Sequence, residues 1–110
     1  MVVISSHILD SVSGKSAQGI RCQLFRLRQD ERQAVFDVRA DDEGRISESV
    51  VLEAADIGAD FELVMHAADY FGATNAVLPC VVLRLVIHED ERRYHLPVML
   101  SPHSYSTWWS

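Results

Sequence analysis

The sequence predicts an all-β fold, a sandwich or barrel of short strands with one short helix. Apolar and polar residues alternate with a period of two in several segments, and helical periodicity is scarce. Residues typical of turns separate these segments. The length of 110 residues fits a single domain over residues 1–110, and a composition of 48% hydrophobic and 24% charged residues is typical of a folded globular chain.

Four segments carry the strand patterns. Residues 20–24 alternate between apolar and polar side chains, residues 34–40 are apolar at even positions, and residues 61–65 are apolar at odd positions. Residues 81–87 are an almost continuous run of β-branched residues and leucine, broken by Arg84, which predicts a mostly buried strand. Strands at this density are typical of a sandwich or a barrel.

Turn and helix signals fall between the strand candidates. Small and polar residues mark turns or loops at 13–15, 41–44 and 59–60. Residues 89–93 are all charged and predict a solvated connection between two strands of a hairpin. The one predicted helix is short, over residues 67–72.

Residues 94–101 are predicted to form a strand whose two faces differ in character. The even positions are apolar and are expected to face the core. The odd positions are uncharged, which is unusual for a face in water, and Pro97 has no N–H to donate to a neighbouring strand. A sheet surface of this kind is often covered by another subunit or by a ligand. We therefore expect His95 in a pocket or interface, with Met99 and Ser101 beside it.

Charge and hydropathy exclude several classes of function. The net charge of −6, without a basic stripe, argues against a nucleic-acid partner. No apolar stretch approaches the roughly 20 residues that a membrane-spanning helix needs. The first residues have neither the positive charge nor the long apolar run of a signal peptide, so the expected location is the cytoplasm.

Spacing alone does not identify an enzyme. Cys22 and Cys80 lie in apolar segments and are expected to be buried, reduced thiols, and nothing in the sequence requires a disulfide between them. The five histidines do not have the spacing of a common zinc motif, and the chain has no Cys-x-x-Cys. It also lacks a glycine-rich phosphate loop and a Gly-x-Ser-x-Gly motif.

A resemblance to the 5-hydroxyisourate hydrolase family covers nearly the whole chain in the right order. The segment His7-Ile8-Leu9-Asp10, followed by Gly14-Lys15, resembles the opening of these enzymes. Asp42-Glu43-Gly44-Arg45 resembles their Asp-Gly-Arg turn with one residue added, and residues 61–71 resemble their central strand and short helix. Residues 94–102 are similar to their Tyr-His-x-Pro-Leu-Leu-Leu-Ser-Pro signature, the most specific of these motifs.

This resemblance implies a transthyretin-like (prealbumin-like) two-sheet β-sandwich with one short helix. It also implies a homotetramer whose active sites lie at a subunit interface, and no metal or organic cofactor. The implied reaction hydrolyses 5-hydroxyisourate to 2-oxo-4-hydroxy-4-carboxy-5-ureidoimidazoline in the degradation of urate to allantoin. The expected catalytic residues are His7, Arg45 and His95. The expected substrate-binding residues are Ser101, Tyr105 and Trp108.

The chemistry of this reaction suits the three expected catalytic residues. Opening a cyclic acyl-urea requires an activated water and a place for negative charge to develop. An imidazole can accept the proton of water at neutral pH and return it to the leaving nitrogen. A guanidinium stays charged and offers a planar fork to an oxyanion. We expect one of His7 and His95 to be the base and the other to orient water or substrate, and the sequence does not decide which.

The end of the sequence departs from the family pattern and leaves an alternative open. The family typically ends in Tyr-Arg-Gly-Ser, whereas this sequence has Trp108-Trp109-Ser110, so an aromatic residue is kept and a positive charge is lost. One interpretation is a hydrolase, because His7, Arg45 and His95 are present. The other is a non-catalytic, transthyretin-like protein that binds a small molecule. The two tryptophans suit stacking on a ligand, and equally suit packing at a subunit contact.

Overall fold

The computed structural model describes residues 1–110 and contains ten β-strands, one short α-helix and one 3-10 turn. The helix, α1, spans Ala67–Phe71, and the 3-10 turn spans Ala54–Asp56. The strands are β1 (Val2–Asp10), β2 (Lys15–Ser16), β3 (Arg21–Arg28), β4 (Glu31–Arg39), β5 (Arg45–Val50), β6 (Asp60–Met65), β7 (Val81–Val86), β8 (Arg93–His95), β9 (Val98–Leu100) and β10 (Tyr105–Thr107).

The strands form two sheets that share one hydrophobic core. In the first sheet, β1 pairs with β2, β5, β8 and β9, and β10 extends the sheet beyond β9. In the second sheet the order is β4, β3, β6, β7, and every pair is antiparallel. Side chains from both sheets make up a core of 20 buried residues, which includes Ile4 and Ile8 from β1 and Leu24 and Phe61 from the second sheet. The predicted two-sheet sandwich with one short helix is confirmed.

Strand β1 separates the core from the outer face of the first sheet. Its even-numbered residues, such as Ile4 and Ile8, are fully buried, because alternate side chains of a strand point to opposite faces. Its odd-numbered residues therefore point outward, and Ser5 and His7 are among them. The same alternation is confirmed in β3, where Cys22 is buried, and in β6, where Phe61 is buried.

The strand predicted over residues 94–101 is divided into β8 and β9. The break falls at Leu96-Pro97, where proline has no N–H to donate. The register with β1 is the same on both sides of the break, since His95 lies opposite Ser5 and Val98 lies opposite Ile8. The even positions face the core as predicted. Pro97, which was expected to face away from the core, is buried, and the chain after β10 runs alongside it.

The prediction that residues 81–87 form a mostly buried strand is wrong. The segment is a strand at the edge of the second sheet, and its outer face is not covered by another layer. Val81 is buried, whereas Val82 is 44% exposed and Val86 is 39% exposed on that outer face. Which faces of a strand are covered depends on how the sheets pack together, and hydropathy along the chain does not contain that information.

The helix and the cysteines lie close to their predicted positions. Helix α1 ends at Gly72, whose positive φ of 65° closes the last turn. No helix of the structure is both long and apolar enough to cross a lipid bilayer. Both cysteines are free thiols, and Cys22 is buried as expected. Cys80 is only half-buried and lies just before β7, outside any strand, which corrects the prediction that it is buried in a strand.

A buried ion cluster lies near the end of β3. Asp56, which is fully buried, accepts hydrogen bonds from Arg26 at 2.8 and 2.9 Å, from Arg28, and from the backbone N–H of Glu53 at 2.8 Å. Burial raises the pKa of Asp56, but these hydrogen bonds outweigh that effect and lower it below its ordinary value. Arg26 lies opposite Phe61 in the sheet, so the cluster covers one end of the core.

Gly44 allows the turn before β5 to approach β1 closely. Its φ is +73°, and its carbonyl accepts a hydrogen bond of 2.8 Å from the N–H of Ile8. A Cβ at this position would lie 2.5 Å from the carbonyl oxygen of Ile8 and 3.0 Å from the nitrogen of Ala17. Both contacts are backbone atoms, which cannot move aside as a side chain can. Gly44 therefore determines how Arg45, the next residue, enters its strand.

We predict that Gly44→Ala lowers the free energy of unfolding by at least about 2 kcal/mol, because a Cβ adds both left-handed strain and a backbone clash. Gly19→Ala is the matched control: its φ is +78° and nothing lies within 4 Å of the added Cβ, so only the strain applies. Urea denaturation of the two variants measures the difference. If the two variants lose equal amounts of stability, the close contact of Gly44 with Ile8 and Ala17 does not affect stability, and the prediction is wrong.

Candidate active site

The pairing of β1 with its two neighbours brings the three expected catalytic residues onto one surface. His7 lies directly opposite Arg45 of β5, and Ser5 lies directly opposite His95 of β8. Residues that face each other across a strand pair project from the same side of the sheet, and residues two apart on one strand do the same. Ser5, His7, Arg45 and His95 therefore form one cluster on the outer face of the first sheet, which we call the β1 cluster.

His95 is held by Ser5. The hydroxyl Oγ of Ser5, which is buried, lies 2.8 Å from Nδ1 of His95. Nδ1 is thereby occupied, and Nε2 makes no hydrogen bond within the chain. The atom left for a water or a substrate is therefore Nε2. Sequence reasoning missed Ser5, although its position two residues before His7 places it on the same face of any strand.

The imidazole of His95 is neutral at pH 7. Burial lowers its pKa below the ordinary value, and the nearby basic groups Arg45, Arg93 and His7 lower it further. A neutral imidazole has a free lone pair and can accept a proton. Arg45 and His7 are therefore close enough to act electrostatically on this ring.

Arg45 is free to interact with a ligand. Its Nε lies 3.5 Å from a carboxylate oxygen of Glu43, and the two side chains are 50% and 73% exposed, so the ion pair is weak. The backbone is well held in contrast. The carboxylate of Asp41 accepts hydrogen bonds of 2.9 Å from the N–H groups of Glu43 and Arg45. Glu43 is the residue added to the Asp-Gly-Arg turn of the family. It lies in a closed turn, and the guanidinium of Arg45 remains in solvent.

The last residue of the sequence lies beside His95. Its N–H donates to the carbonyl of His95 at 2.9 Å, and its carbonyl accepts from the N–H of His95 at 3.2 Å. This exchange continues the register of β10, in which Thr107 lies opposite Val98. Ser110 therefore projects from the same face as His95, and Trp108 lies opposite Pro97. Sequence reasoning missed Ser110, because its partner is known only once the register of β10 is known.

The structure does not bring Ser101 and Tyr105 to the β1 cluster of the same chain. Ser101 is six residues beyond His95, roughly 20 Å along the strand direction. Its hydroxyl closes the turn before β10, since it bonds the hydroxyl of Ser104 at 3.1 Å and accepts from the N–H of Ser104 at 3.0 Å. Tyr105 lies opposite Leu100, which faces the core, so its side chain projects from the other face of the sheet.

A separate cavity of about 640 Å³ lies between β7 and the end of the chain. Nine of its 13 lining residues are hydrophobic, and they include Tyr94, Leu96, Trp108 and Trp109. None of the expected catalytic residues lines it. Trp108 thus borders this cavity and is 50% exposed. No group of three or more His, Cys, Asp or Glu side chains is arranged to hold a metal ion.

Comparison with known proteins identifies the family. The family described as HIUase/Transthyretin matches residues 4–109. This chain belongs to the HIUase/Transthyretin family. The resemblance inferred from the sequence motifs is therefore confirmed.

Named members of the HIUase/Transthyretin family match the chain over almost its whole length. It is 34% identical to 5-hydroxyisourate hydrolase 2 of Rhizobium meliloti (strain 1021), over 96% of this chain and 92% of that protein. The structure of Klebsiella pneumoniae 5-hydroxyisourate hydrolase matches with a TM-score of 0.80 at 25% identity, over 100% of this chain and 99% of that one. Sea bream transthyretin in complex with thyroxine matches with a TM-score of 0.81 at 21% identity, over 97% and 93%.

We predict that Arg45→Gln raises the pKa of His95 toward its ordinary value, because one of the positive charges that oppose its protonation is removed. The pKa stays below the ordinary value, since burial, its largest cause, is unchanged. Titration of the imidazole by NMR measures the shift. Arg84→Gln, on the second sheet, is the matched control and leaves the pKa of His95 unchanged. An unshifted titration in Arg45→Gln would contradict the electrostatic coupling.

Proposed function

We propose that this protein hydrolyses 5-hydroxyisourate, a cyclic acyl-urea, in the degradation of urate to allantoin. The relative from Rhizobium meliloti that is 34% identical carries the name of this activity. The observation that supports the proposal most directly is the β1 cluster, in which two imidazoles and a guanidinium lie on the same outer face of the sheet as Ser5. The expected cytoplasmic location and the expected absence of a cofactor stay predictions from the sequence.

In this mechanism His95 is the general base. Its lowered pKa keeps the imidazole neutral at pH 7. In this mechanism Nδ1–H of His95 donates to Oγ of Ser5, which leaves the lone pair on Nε2 to accept the proton of a water. The oxygen of that water attacks a carbonyl carbon of the ring. The bond from this carbon to the ring nitrogen then breaks, and the proton passes from His95 to the leaving nitrogen. Atoms and charge balance without any group beyond water.

Arg45 and His7 complete the site. As the water attacks, negative charge develops on the carbonyl oxygen, and the guanidinium of Arg45 stabilises it. His7 lies between Arg45 and Ser5 on this face and orients the water or the substrate. Arg93, two residues before His95, is a second positive charge near the site. The residues after Thr107 include no basic side chain, so Arg45 and Arg93 are the arginines close to His95.

The assay follows the decay of freshly generated 5-hydroxyisourate by ultraviolet absorbance. We predict acceleration by catalytic amounts of the protein. His95→Asn lowers the rate about 100-fold to 10,000-fold through loss of the base, and Arg45→Gln lowers it about 100-fold through loss of charge stabilisation. Ser5→Ala causes a smaller loss. Arg32→Gln, at an exposed arginine of β4 on the second sheet, is the matched control for Arg45→Gln and leaves the rate unchanged. No acceleration by folded protein would contradict the proposal.

The proposal includes a homotetramer with the active sites at a subunit interface. Two features support self-association. Val82 and Val86 are exposed on the outer face of the edge strand β7, on either side of Arg84, and Trp108 and Trp109 are exposed across the cavity from this strand. Exposed apolar side chains next to an unpaired strand edge are typical of a protein interface.

We predict a mass of four times 12.4 kDa by light scattering after size-exclusion chromatography. Val86→Glu lowers the mass, because a charge on the edge strand opposes burial of this surface. Val77→Glu is the matched control: Val77 is 92% exposed in the loop before β7, and its replacement leaves the mass unchanged. A wild-type mass of 12.4 kDa would contradict the tetramer.

The cavity supports a second candidate function, binding of a small aromatic molecule without turnover. Its lining is mostly apolar, it includes two tryptophans suited to stacking, and it lies apart from His95 and Arg45. The hydrolysis assay distinguishes the two functions. One result would favour the binding function. In it, an aromatic ligand quenches the tryptophan fluorescence of the folded tetramer, and the tetramer does not accelerate the decay of 5-hydroxyisourate.

A further inference from the structure

A second group of polar side chains lies on the outer face of the second sheet. The thiol Sγ of Cys80 is 3.7 Å from Nδ1 of His66, and Nε2 of His66 is 2.7 Å from the side-chain oxygen of Gln23. The amide nitrogen of Gln23 is 3.4 Å from the carboxylate of Asp37, which also binds Arg21 at 2.6 and 2.9 Å. These five residues form a connected chain of contacts, which we call the Cys80 network.

The network determines the tautomer of His66. Hydrogen bonding to Arg21 lowers the pKa of Asp37, so its carboxylate is ionised at neutral pH and can only accept. The amide of Gln23 must then direct its NH₂ group to Asp37 and its oxygen to His66. That oxygen accepts a hydrogen bond, which places the proton of the imidazole on Nε2. Nδ1 is left with a lone pair that faces the thiol of Cys80.

The backbone holds the two reactive groups in place. His66 follows β6, and its N–H donates to the carbonyl of Arg21 at 3.0 Å, so the imidazole stays beside β3. The carbonyl of Pro79 accepts a hydrogen bond of 3.0 Å from the N–H of Ala68, at the start of α1. This bond holds the residue before Cys80 against the residues that follow His66. Backbone hydrogen bonds on both sides therefore hold the thiol of Cys80 and the imidazole of His66 together.

The two cysteines of the chain differ sharply in environment. Cys22 is fully buried in the core, and burial raises the pKa of its thiol to about 12. Cys80 is half-buried and partly accessible to solvent, with an imidazole beside it. A thiol next to a base is the arrangement in which cysteine acts as a nucleophile, whereas a buried thiol without a polar partner is inert.

We propose that Cys80 is a second reactive centre of this protein, a thiol nucleophile that His66 activates toward small disulfides. His66 accepts the thiol proton on Nδ1, and the sulfur attacks one sulfur of the disulfide. A new S–S bond to Cys80 forms as the old S–S bond breaks, and the released thiolate takes the proton from His66. The product is a mixed disulfide at Cys80 and one free small thiol, so no other oxidant is needed.

Charged groups from three elements lie around His66. Asp37 of β4 faces the network, and the charge of His66 in turn acts on Asp37. Arg21 of β3, Arg39 of β4 and Asp69 of α1 are the other charged groups close by. Arg21 and Asp37 are joined by two hydrogen bonds, so their opposite charges offset each other. Arg39 and Asp69 are one further basic and one further acidic group. Gln23 keeps its hydrogen bond to Nε2 whether or not Nδ1 is protonated.

The test exposes folded protein to hydroxyethyl disulfide, a small neutral disulfide, and follows the added mass by mass spectrometry with peptide mapping. We expect one adduct at Cys80 and none at Cys22, which is an internal control in the same chain. His66→Asn is expected to slow the reaction at neutral pH by about 10-fold or more, and Gln23→Leu to slow it less. His88→Asn leaves the rate unchanged.

The pH dependence separates activation from mere accessibility. Rates are measured from neutral to alkaline pH. In His66→Asn the rise of the rate is expected at higher pH than in the wild-type protein, because the thiol then has no base beside it. If His66→Asn reacts at the wild-type rate across this range while remaining folded, the thiol is only accessible and the proposal is wrong. Equal labelling of Cys22 and Cys80 would also overturn it.

Discussion

The structure depends on strand β1, which is paired on both edges. It lies antiparallel to β5 on one side and parallel to β8 and β9 on the other. Its alternation sends Ile4 and Ile8 into the core and Ser5 and His7 to the outer face. A shift of register by one residue would exchange these two faces, so burial of the isoleucines also determines where the site residues point. Stability and the placement of the candidate active site thus share one constraint.

The neighbours of β1 add the remaining chemistry through equally specific backbone contacts. Gly44 lets the turn before β5 lie against Ile8, and Arg45 then enters its strand opposite His7. On the other side, parallel pairing puts His95 opposite Ser5. The imidazole of His95 is therefore partly buried and close to the guanidinium of Arg45. Both effects disfavour its charged form and lower its pKa. Its neutral state at pH 7 is a consequence of sheet geometry.

Local patterns in the sequence predicted much of this fold. Alternation identified β3 and β6, and the run before Gly72 identified α1, because these signals depend only on neighbouring residues. The error at β7 arose because burial of a strand depends on how the sheets pack together, which Val82 and Val86 do not encode. The contacts of His95 with Ser5 and Ser110, and of Cys80 with His66, join distant parts of the chain and appear only when the register is known.

We propose that the chemistry takes place on the outer face of β1, β5 and β8. A crystal structure with a stable, non-hydrolysable analogue of the cyclic acyl-urea would show whether it does. We expect the analogue against Nε2 of His95 and the guanidinium of Arg45, with His7 within hydrogen-bonding distance of it or of an adjoining water. An analogue bound only in the cavity beside Trp108 and Trp109, with the β1 cluster empty, would contradict it.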